Sequence, residues 1–557
     1  MVLKCISIIF LGVLIYSNSF FNSFHFDDFP SIVNNVSIRN IDGLQKIWGF
    51  WPTRFITYFS FALNYHWGAY SVVGYHVFSL LLHILTTILV WQLILITLKL
   101  PLKGHDLGPK QLSWIAFFSA LIFLTHPLQT QAVNYIVQRA VLLAAFFYLG
   151  ALILYIKSRT EGKQIFYLGS IFCAVLSILS KENASSLPLM ICFYEWSFFK
   201  VEKRFQWKKM VPFFLVVLIM PLSWSSNMSL GLKPLVSGFA MGMDAYQYFL
   251  TQAKVILIYI AMLFWPMHQT VEHTVTLSTS LFNFSTMASM VLLLVILGFA
   301  FLVRNNLRWM SFGIFWFFIT LLPESSFWPI KDLIFEHRLY LPMVGFGIFI
   351  SSGVFYFLKG NRISLRVRIL LIFILVYSCL SYQRNKVWFN EMTLWDDAVH
   401  QSPGCARAYL NRGSAYQKQG DLDHALADYN MVIGLGPVDP VTLSNRGLIF
   451  EKKNQFNFAM ANFDLAIKIN PGYVAAYENR GKLYQNEGKY VNALKDFDQA
   501  LRYQPQNAIF YGDRAELYFL MKDYDQCWQD VHHLEALGAS IKPEYLLDLE
   551  KATGKTK

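Results

Sequence analysis

Long apolar runs broken by short polar connections fill the first part of the chain. They lie near 5–21, 70–98, 112–125, 140–156, 165–180, 184–199, 210–226, 284–303, 309–323, 340–358 and 369–382. Each is read as a helix crossing the hydrocarbon, about eleven in all, with ends loose by a few residues. From about residue 383 the apolar runs stop and charge becomes dense, which marks a water-facing domain of ordinary size.

That second part carries an internal period. Asn411-Arg412-Gly413, Asn445-Arg446-Gly447 and Asn479-Arg480-Gly481 recur every 34 residues, with Asp513-Arg514-Ala515 next. Pro403, Pro437, Pro471 and Pro505 keep the same interval, as do Ala425, Ala459, Ala493 and the variant Cys527. A small residue where two helices meet and a proline closing the second is the tetratricopeptide pattern. Phe456, Tyr490 and Tyr524 supply its large apolar position. About four repeats stack, with Ile541 to Lys557 as a capping helix and tail. The predicted fold is all-α: a polytopic membrane bundle over 1–385 and a repeat solenoid over 386–557. Arg412, Arg446, Arg480 and Arg514 read first as residues of repeat architecture, and second as a ladder along a binding face.

With 55% hydrophobic, 17% aromatic and 15% charged residues, the chain is too apolar for an ordinary soluble enzyme. Its net charge of +12 does not point to nucleic acid, because the basic residues of the bundle gather in short loops. These hold Lys99, Lys103 and Lys110; Lys157, Arg159 and Lys163; Lys200, Lys203, Arg204, Lys208 and Lys209; Arg304 and Arg308; and Lys359, Arg362, Arg366 and Arg368. Such loops face the cytoplasm, so the opposite loops and the repeats are expected outside. Tyr246 to Trp265 is apolar enough to cross, yet one more crossing would invert every later loop. It therefore reads as interfacial or re-entrant. Six cysteines without paired spacing indicate neither a zinc site nor a disulfide framework. Residues 1–21 read as an uncleaved first span.

Polar residues gather in the loops expected outside. The first holds His25-Phe26-Asp27-Asp28-Phe29-Pro30 and Arg54; the next His126 and Arg139; then Lys181 and Glu182; and finally Glu324, Glu336, His337 and Arg338. Carboxylates beside a bilayer are costly and persist where they pair, bind a cation or move a proton. One of them can take the proton of an attacking hydroxyl. Arg and Lys can hold a phosphate leaving group as its charge grows. Together these suit sugar transfer from a lipid-linked phosphate. Asp28 and Asp27 are the candidate catalytic residues, Asp28 ranked first. Arg139, Lys181, Arg338 and Arg54 are candidate phosphate ligands, and His126, Glu182, Glu336 and His337 further site candidates. Plainer readings stand beside these: a solvated turn before Pro30, a salt bridge at a span end for Lys181 and Glu182, a span end for His126, and helix–helix hydrogen bonds for His76 and His83.

The order Phe26-Asp27-Asp28, Arg54, Gly74-Tyr75-His76, Leu81-Leu82-His83, His126-Pro127, Arg139, Ser180-Lys181-Glu182 and Arg338-Leu339-Tyr340-Leu341-Pro342, with Trp388 and Leu394-Trp395 ahead of the repeats, resembles the transmembrane and tetratricopeptide-repeat O-mannosyltransferases. The resemblance implies a GT-C glycosyltransferase bundle and a polyprenyl-phosphate or dolichyl-phosphate sugar donor. It also implies that one of Asp27 and Asp28 is the base while the other orients it or binds a cation, leaving Mg2+ or Mn2+ as an option. A protein acceptor would be captured by the repeats. About four repeats, fewer than eukaryotic members carry, favours a bacterial relative in the inner membrane with a periplasmic site; the eukaryotic equivalent is the ER lumen. A membrane-anchored repeat scaffold and a lipid-linked glycan polymerase or ligase are the alternatives.

Overall fold

The computed structural model describes residues 2–98, 100, 108–199, 206–223, 243–358, 363–539 and 541–554. Lys99, Lys103, Lys200, Lys203, Arg204, Lys359 and Arg362, on which the expected sidedness partly rests, lie outside them, as does Lys557. Among the described residues the regular structure is helical. The chain divides into two compact units, 1–397 and 398–557. Trp388 and Trp395 fall in the first of these.

In that unit, five of the described helices are long and apolar enough to cross a membrane: Val72–Leu98, Ile136–Glu161, Ala245–Phe264, Phe284–Leu302 and Ile363–Trp388. Val2–Tyr16, Gln164–Ile178, Arg308–Leu321 and Met343–Phe357 are shorter apolar helices. The run at 184–199 is less regular than expected: a tight turn over Glu182–Ser186 leads into the short helix Leu187–Tyr194 and a wide turn over Glu195–Phe199. There Glu195 turns inward to Arg159 and to the Tyr155 hydroxyl.

Small residues let the helices close. Arg308–Leu321 and Met343–Phe357 cross where a Cβ on Gly345 would lie 2.3 Å from the Gly313 carbonyl oxygen. Two residues on, on the opposite face, a Cβ on Gly347 would come 2.6 Å from the Ser119 carbonyl oxygen. The Met343–Phe357 helix is thus gripped on both sides by backbone-to-backbone approach, as small residues allow between membrane helices.

Ala245–Phe264 begins at Asp244, whose carboxylate caps Gln247 N–H. Along its length it bonds the loops at the Asp28 end of the bundle. Tyr248 donates to the Glu324 carbonyl at 2.7 Å, Gln252 to that of Leu333 at 3.0 Å and Tyr259 to that of Phe335 at 3.0 Å. The chain leaving it does the same, Gln269 donating to the Pro127 carbonyl at 3.0 Å. Length would allow a crossing, but start, middle and exit all bond loops of one bundle end.

The second unit stacks four helix pairs, Ala406–Gln419 with Leu422–Leu435, Pro440–Lys452 with Phe456–Ile469, Val474–Asn486 with Tyr490–Tyr503, and Ala508–Leu520 with Tyr524–Ala536, ahead of Pro543–Thr553. In the first three pairs the repeated glycine abuts an aromatic ring: Gly413 on Tyr429, Gly447 on Phe463 and Gly481 on Phe497.

Candidate active site

The first loop is built around Asp28. Its carboxylate is fully buried; Oδ2 accepts the His25 N–H at 2.9 Å and Oδ1 the Val137 N–H at 2.7 Å. Burial pushes its pKa up to about 8, against the pull of these two amides. Asp27, by contrast, is exposed, and its backbone N–H donates to the Tyr135 hydroxyl at 3.1 Å. The turn between them and His25 is tight enough to hold Phe26 at a φ of 44°, a conformation a bulky residue adopts only when its surroundings hold it there. Here aromatic rings do so. The Phe26 ring lies 4.6 Å from Trp395 and 5.7 Å from Tyr135, Tyr135 stacks on Trp388, and His25 Nε2 donates to the Trp388 carbonyl at 2.8 Å.

Beside this loop lies a cluster of paired charges. The turn Pro52–Arg54 presents Thr53 and Arg54 to Glu182: Thr53 Oγ1 donates at 2.6 Å and Arg54 Nη2 at 3.2 Å, with the guanidinium over Trp51. Two bonds dock the turns together, Ile56 N–H to the Leu179 carbonyl at 3.0 Å and Thr57 Oγ1 to that of Ser180 at 2.9 Å. Next along, Lys181 Nζ meets Glu324 Oε1 at 3.1 Å. Burial alone would raise Glu182, but the Arg54 charge and the Thr53 hydroxyl bring it below its usual range. Burial lowers Lys181, and the Arg54 charge adds to that. His337 is held neutral by burial and by the charges of Lys181, Arg338 and Arg54. Tyr58, hydrogen-bonded to Ser31, is raised by burial and feels Arg54, Asp27 and Glu182 together. Arg54, Lys181, Glu182, Glu324, His337 and Arg338 therefore share one electrostatic neighbourhood, and Tyr58 links it to Asp27.

Other expected site residues are occupied elsewhere. Arg139 is fully buried; it donates to Asn64 Oδ1 at 2.6 Å, to Ser60 and to the Tyr75 carbonyl at 3.0 Å, with Phe61 and Phe78 against its faces. It clamps three helices and has no open edge for a phosphate. Both ring nitrogens of His126 are used, Nε2 donating to the Leu263 carbonyl at 2.9 Å and Nδ1 accepting the Leu128 N–H at 3.3 Å. Glu336 anchors the segment after Ala245–Phe264 through Gln269, the Thr270 N–H and His273. His337 is fixed by Gln131 on the His126 loop. Arg338 lies in the cluster but donates to the carbonyls of Asp332 and Leu333 at 2.6 and 3.0 Å. His83 bonds the Tyr340 hydroxyl and the Leu124 carbonyl of the helix Pro109–Thr125, a helix–helix bond as expected, whereas His76 bonds the Asn22 carbonyl in the first loop rather than another helix. Asp28 faces inward onto amides and Asp27 faces out, so the two do not converge as a cation-binding pair. No group of three or more His, Cys, Asp or Glu among the described residues is arranged for a metal.

Glu324 as the partner of Lys181, Tyr58 between acid and cation, and the Trp388 and Trp395 shelf were not singled out for these roles from sequence. Glu324 carried a signal, an acid in the same loop set. Tyr58, in an aromatic-rich stretch, carried none.

Two tetratricopeptide repeat models match residues 406–437 and 474–507. A protein O-mannosyl-transferase of Caenorhabditis elegans is 25% identical over 459 residues, covering 77% of this chain and 62% of its own length. Tmtc3 of Drosophila melanogaster is 25% identical, covering 76% of this chain and 54% of its own length. TMTC3 of Homo sapiens is 23% identical, with 76% and 50% covered. The chain thus spans between 50% and 62% of the length of these relatives. Among solved structures, a crystal structure of MamA aligns with 26% of the chain and 86% of its own at 16% identity and a TM-score of 0.25, too slight a likeness to carry an argument. Over 76–77% of its length the chain is thus homologous to protein O-mannosyl-transferases, and its second unit carries tetratricopeptide repeats.

Proposed function

We propose that the chain is an integral-membrane glycosyltransferase that moves a sugar from a polyprenyl-phosphate or dolichyl-phosphate donor to a hydroxyl of a protein, with the repeats binding that acceptor. The observation that carries this reading is the contrast within the acid pair: an exposed Asp27 on a loop pinned by a buried Asp28, linked through Tyr58 to the cluster that holds Arg54, Lys181 and Arg338.

In this reading Asp27 takes the acceptor hydroxyl proton and the freed oxygen attacks the anomeric carbon. The bond to the donor phosphate oxygen breaks, and the phosphate leaves with the electron pair. Asp28, sequestered by amides, is the positioning residue, which reverses the order sequence gave the two. Arg54 keeps Nη1 without a hydrogen bond among the described residues, so it can meet a phosphate while Glu182 still orients it. Lys181, held by Glu324, is a second cation for the growing charge. An apolar groove of about 470 Å³, lined by Ile260, Phe264, Val295, Ile314, Phe318 and Phe346 among others, suits a prenyl tail. It starts one residue past Tyr259, whose hydroxyl bonds Phe335 in the Arg338 loop. The positive-inside bias supports a site facing away from the cytoplasm.

The test is mass spectrometry of exported proteins from cells carrying the wild type, Asp27→Asn or no copy. Hexose adducts should vanish in the last two while the Asp27→Asn protein still reaches the membrane. Adducts retained with Asp27→Asn would remove Asp27 as the base.

A further inference from the structure

The arginines of the repeats form a ladder in which one rung is missing its acids. Arg480 lies between Asp496, sixteen positions on, and Asp464, sixteen back, at 2.6 Å from each. Arg514 repeats this with Asp530 at 2.7 Å and Asp498 at 2.6 Å. Arg412 pairs with Asp428 at 2.8 Å. At Arg446 both corresponding positions are asparagine: Nε donates to Asn462 Oδ1 and Nη1 to Asn430 Oδ1, each at 2.9 Å. The Asn462 amide nitrogen turns away to the Phe458 carbonyl, so it offers nothing to Nη2. In the other three arginines Nη2 is the atom that meets a buried carboxylate. In Arg446 it bonds none of the described residues, and the side chain remains half-buried rather than sealed.

The charges along the ladder are correspondingly uneven. Arg446 is a cation between two neutral amides. The two following rungs each set one cation between two carboxylates, the outer of which, Asp464 and Asp498, are 53% and 41% exposed. A guanidinium with an open N–H edge is suited to a carboxylate. The surplus acids next door favour positive charge and disfavour a polyanion.

We propose that Arg446 is a recognition site for a single acidic side chain of an extended protein segment whose neighbouring residues are basic. The identification of that segment with the glycosyl acceptor rests on the function proposed above; the binding does not, and it can be measured without sugar transfer.

The experiment uses the full chain in detergent micelles and a ten-residue peptide with one central Glu between lysines, compared with the same peptide carrying Gln. Wild type should bind the Glu peptide about tenfold more tightly than the Gln peptide, the scale of one charge-assisted hydrogen bond at a partly exposed site. Asn462→Asp supplies internally the carboxylate the other rungs have, and should erase that preference while leaving thermal unfolding unchanged or raised. Arg446→Gln should erase it as well. Equal affinity of wild type for the two peptides, or a preference that survives Asn462→Asp, overturns the proposal. Inorganic phosphate binding as tightly as the Glu peptide would make this a free-anion site and overturn the peptide assignment. Binding lost with hexose transfer intact would overturn only the acceptor role.

Discussion

Two adjacent carboxylates, one turned inward and one outward, respond oppositely to the same substitution. Asp28→Asn keeps one acceptor oxygen but sets an amide NH2 against either the His25 or the Val137 N–H. A buried donor left unpaired costs about 1–3 kcal/mol, so this variant should lower the apparent Tm. Asp27→Asn alters an exposed side chain and should leave Tm nearly unchanged while stopping transfer. pH separates them further. Folded Asp28 keeps its proton up to about pH 8, whereas its ordinary value is 3.8. Between those limits the folded state binds more protons, so stability falls as pH rises. Thermal scans from about pH 5 to 8 should show a falling Tm in wild type and a flatter profile in Asp28→Asn; parallel profiles would contradict the burial of an ionisable Asp28. The adjacency of the acids was legible in the sequence. Their opposite orientations were not, because one depends on the Val137 amide, 109 positions away.

Within single elements, the same residue type meets opposite fates. A Cβ at Gly447 would lie 2.5 Å from the Phe463 ring, whereas at Gly512 it meets nothing within 4 Å. Gly447→Ala should overpack the second repeat, at a cost of about 1–3 kcal/mol that exceeds the helix-propensity gain. Gly512→Ala should stabilise by about 0.5–1 kcal/mol. Chemical denaturation of the two variants checks both signs. The 34-residue period made these helices legible, since each repeat states its own packing. The Leu187–Tyr194 region was less so: its hydropathy reads as a plain span, but an inward-facing Glu195 and a turn-rich start shorten the helix. Arg139 shows the same limit in reverse, since an arginine near an acid loop reads as a ligand until its neutral acceptors on two other helices are known.

Across the whole molecule, the loops that converge at the Asp28 end followed from the alternation of basic connections, and the structure brings most of them together. The groove beneath them was invisible in the sequence, because its lining comes from four helices whose apolar residues look like any others. Val295→Trp should fill it. If it holds a prenyl tail, the KM for a long-chain donor should rise several-fold while a donor with a truncated tail is little affected; equal effects on both would argue against that use of the groove. Trp388 and Trp395, which brace the acid loop, lie just before the division at residue 397. Chimaeras that exchange repeat arrays between relatives therefore have a correct seam. Joined after 397, a foreign array leaves the acid loop its own indoles; joined at 385, it brings strangers to that shelf, and loss of activity would report the seam rather than the repeats.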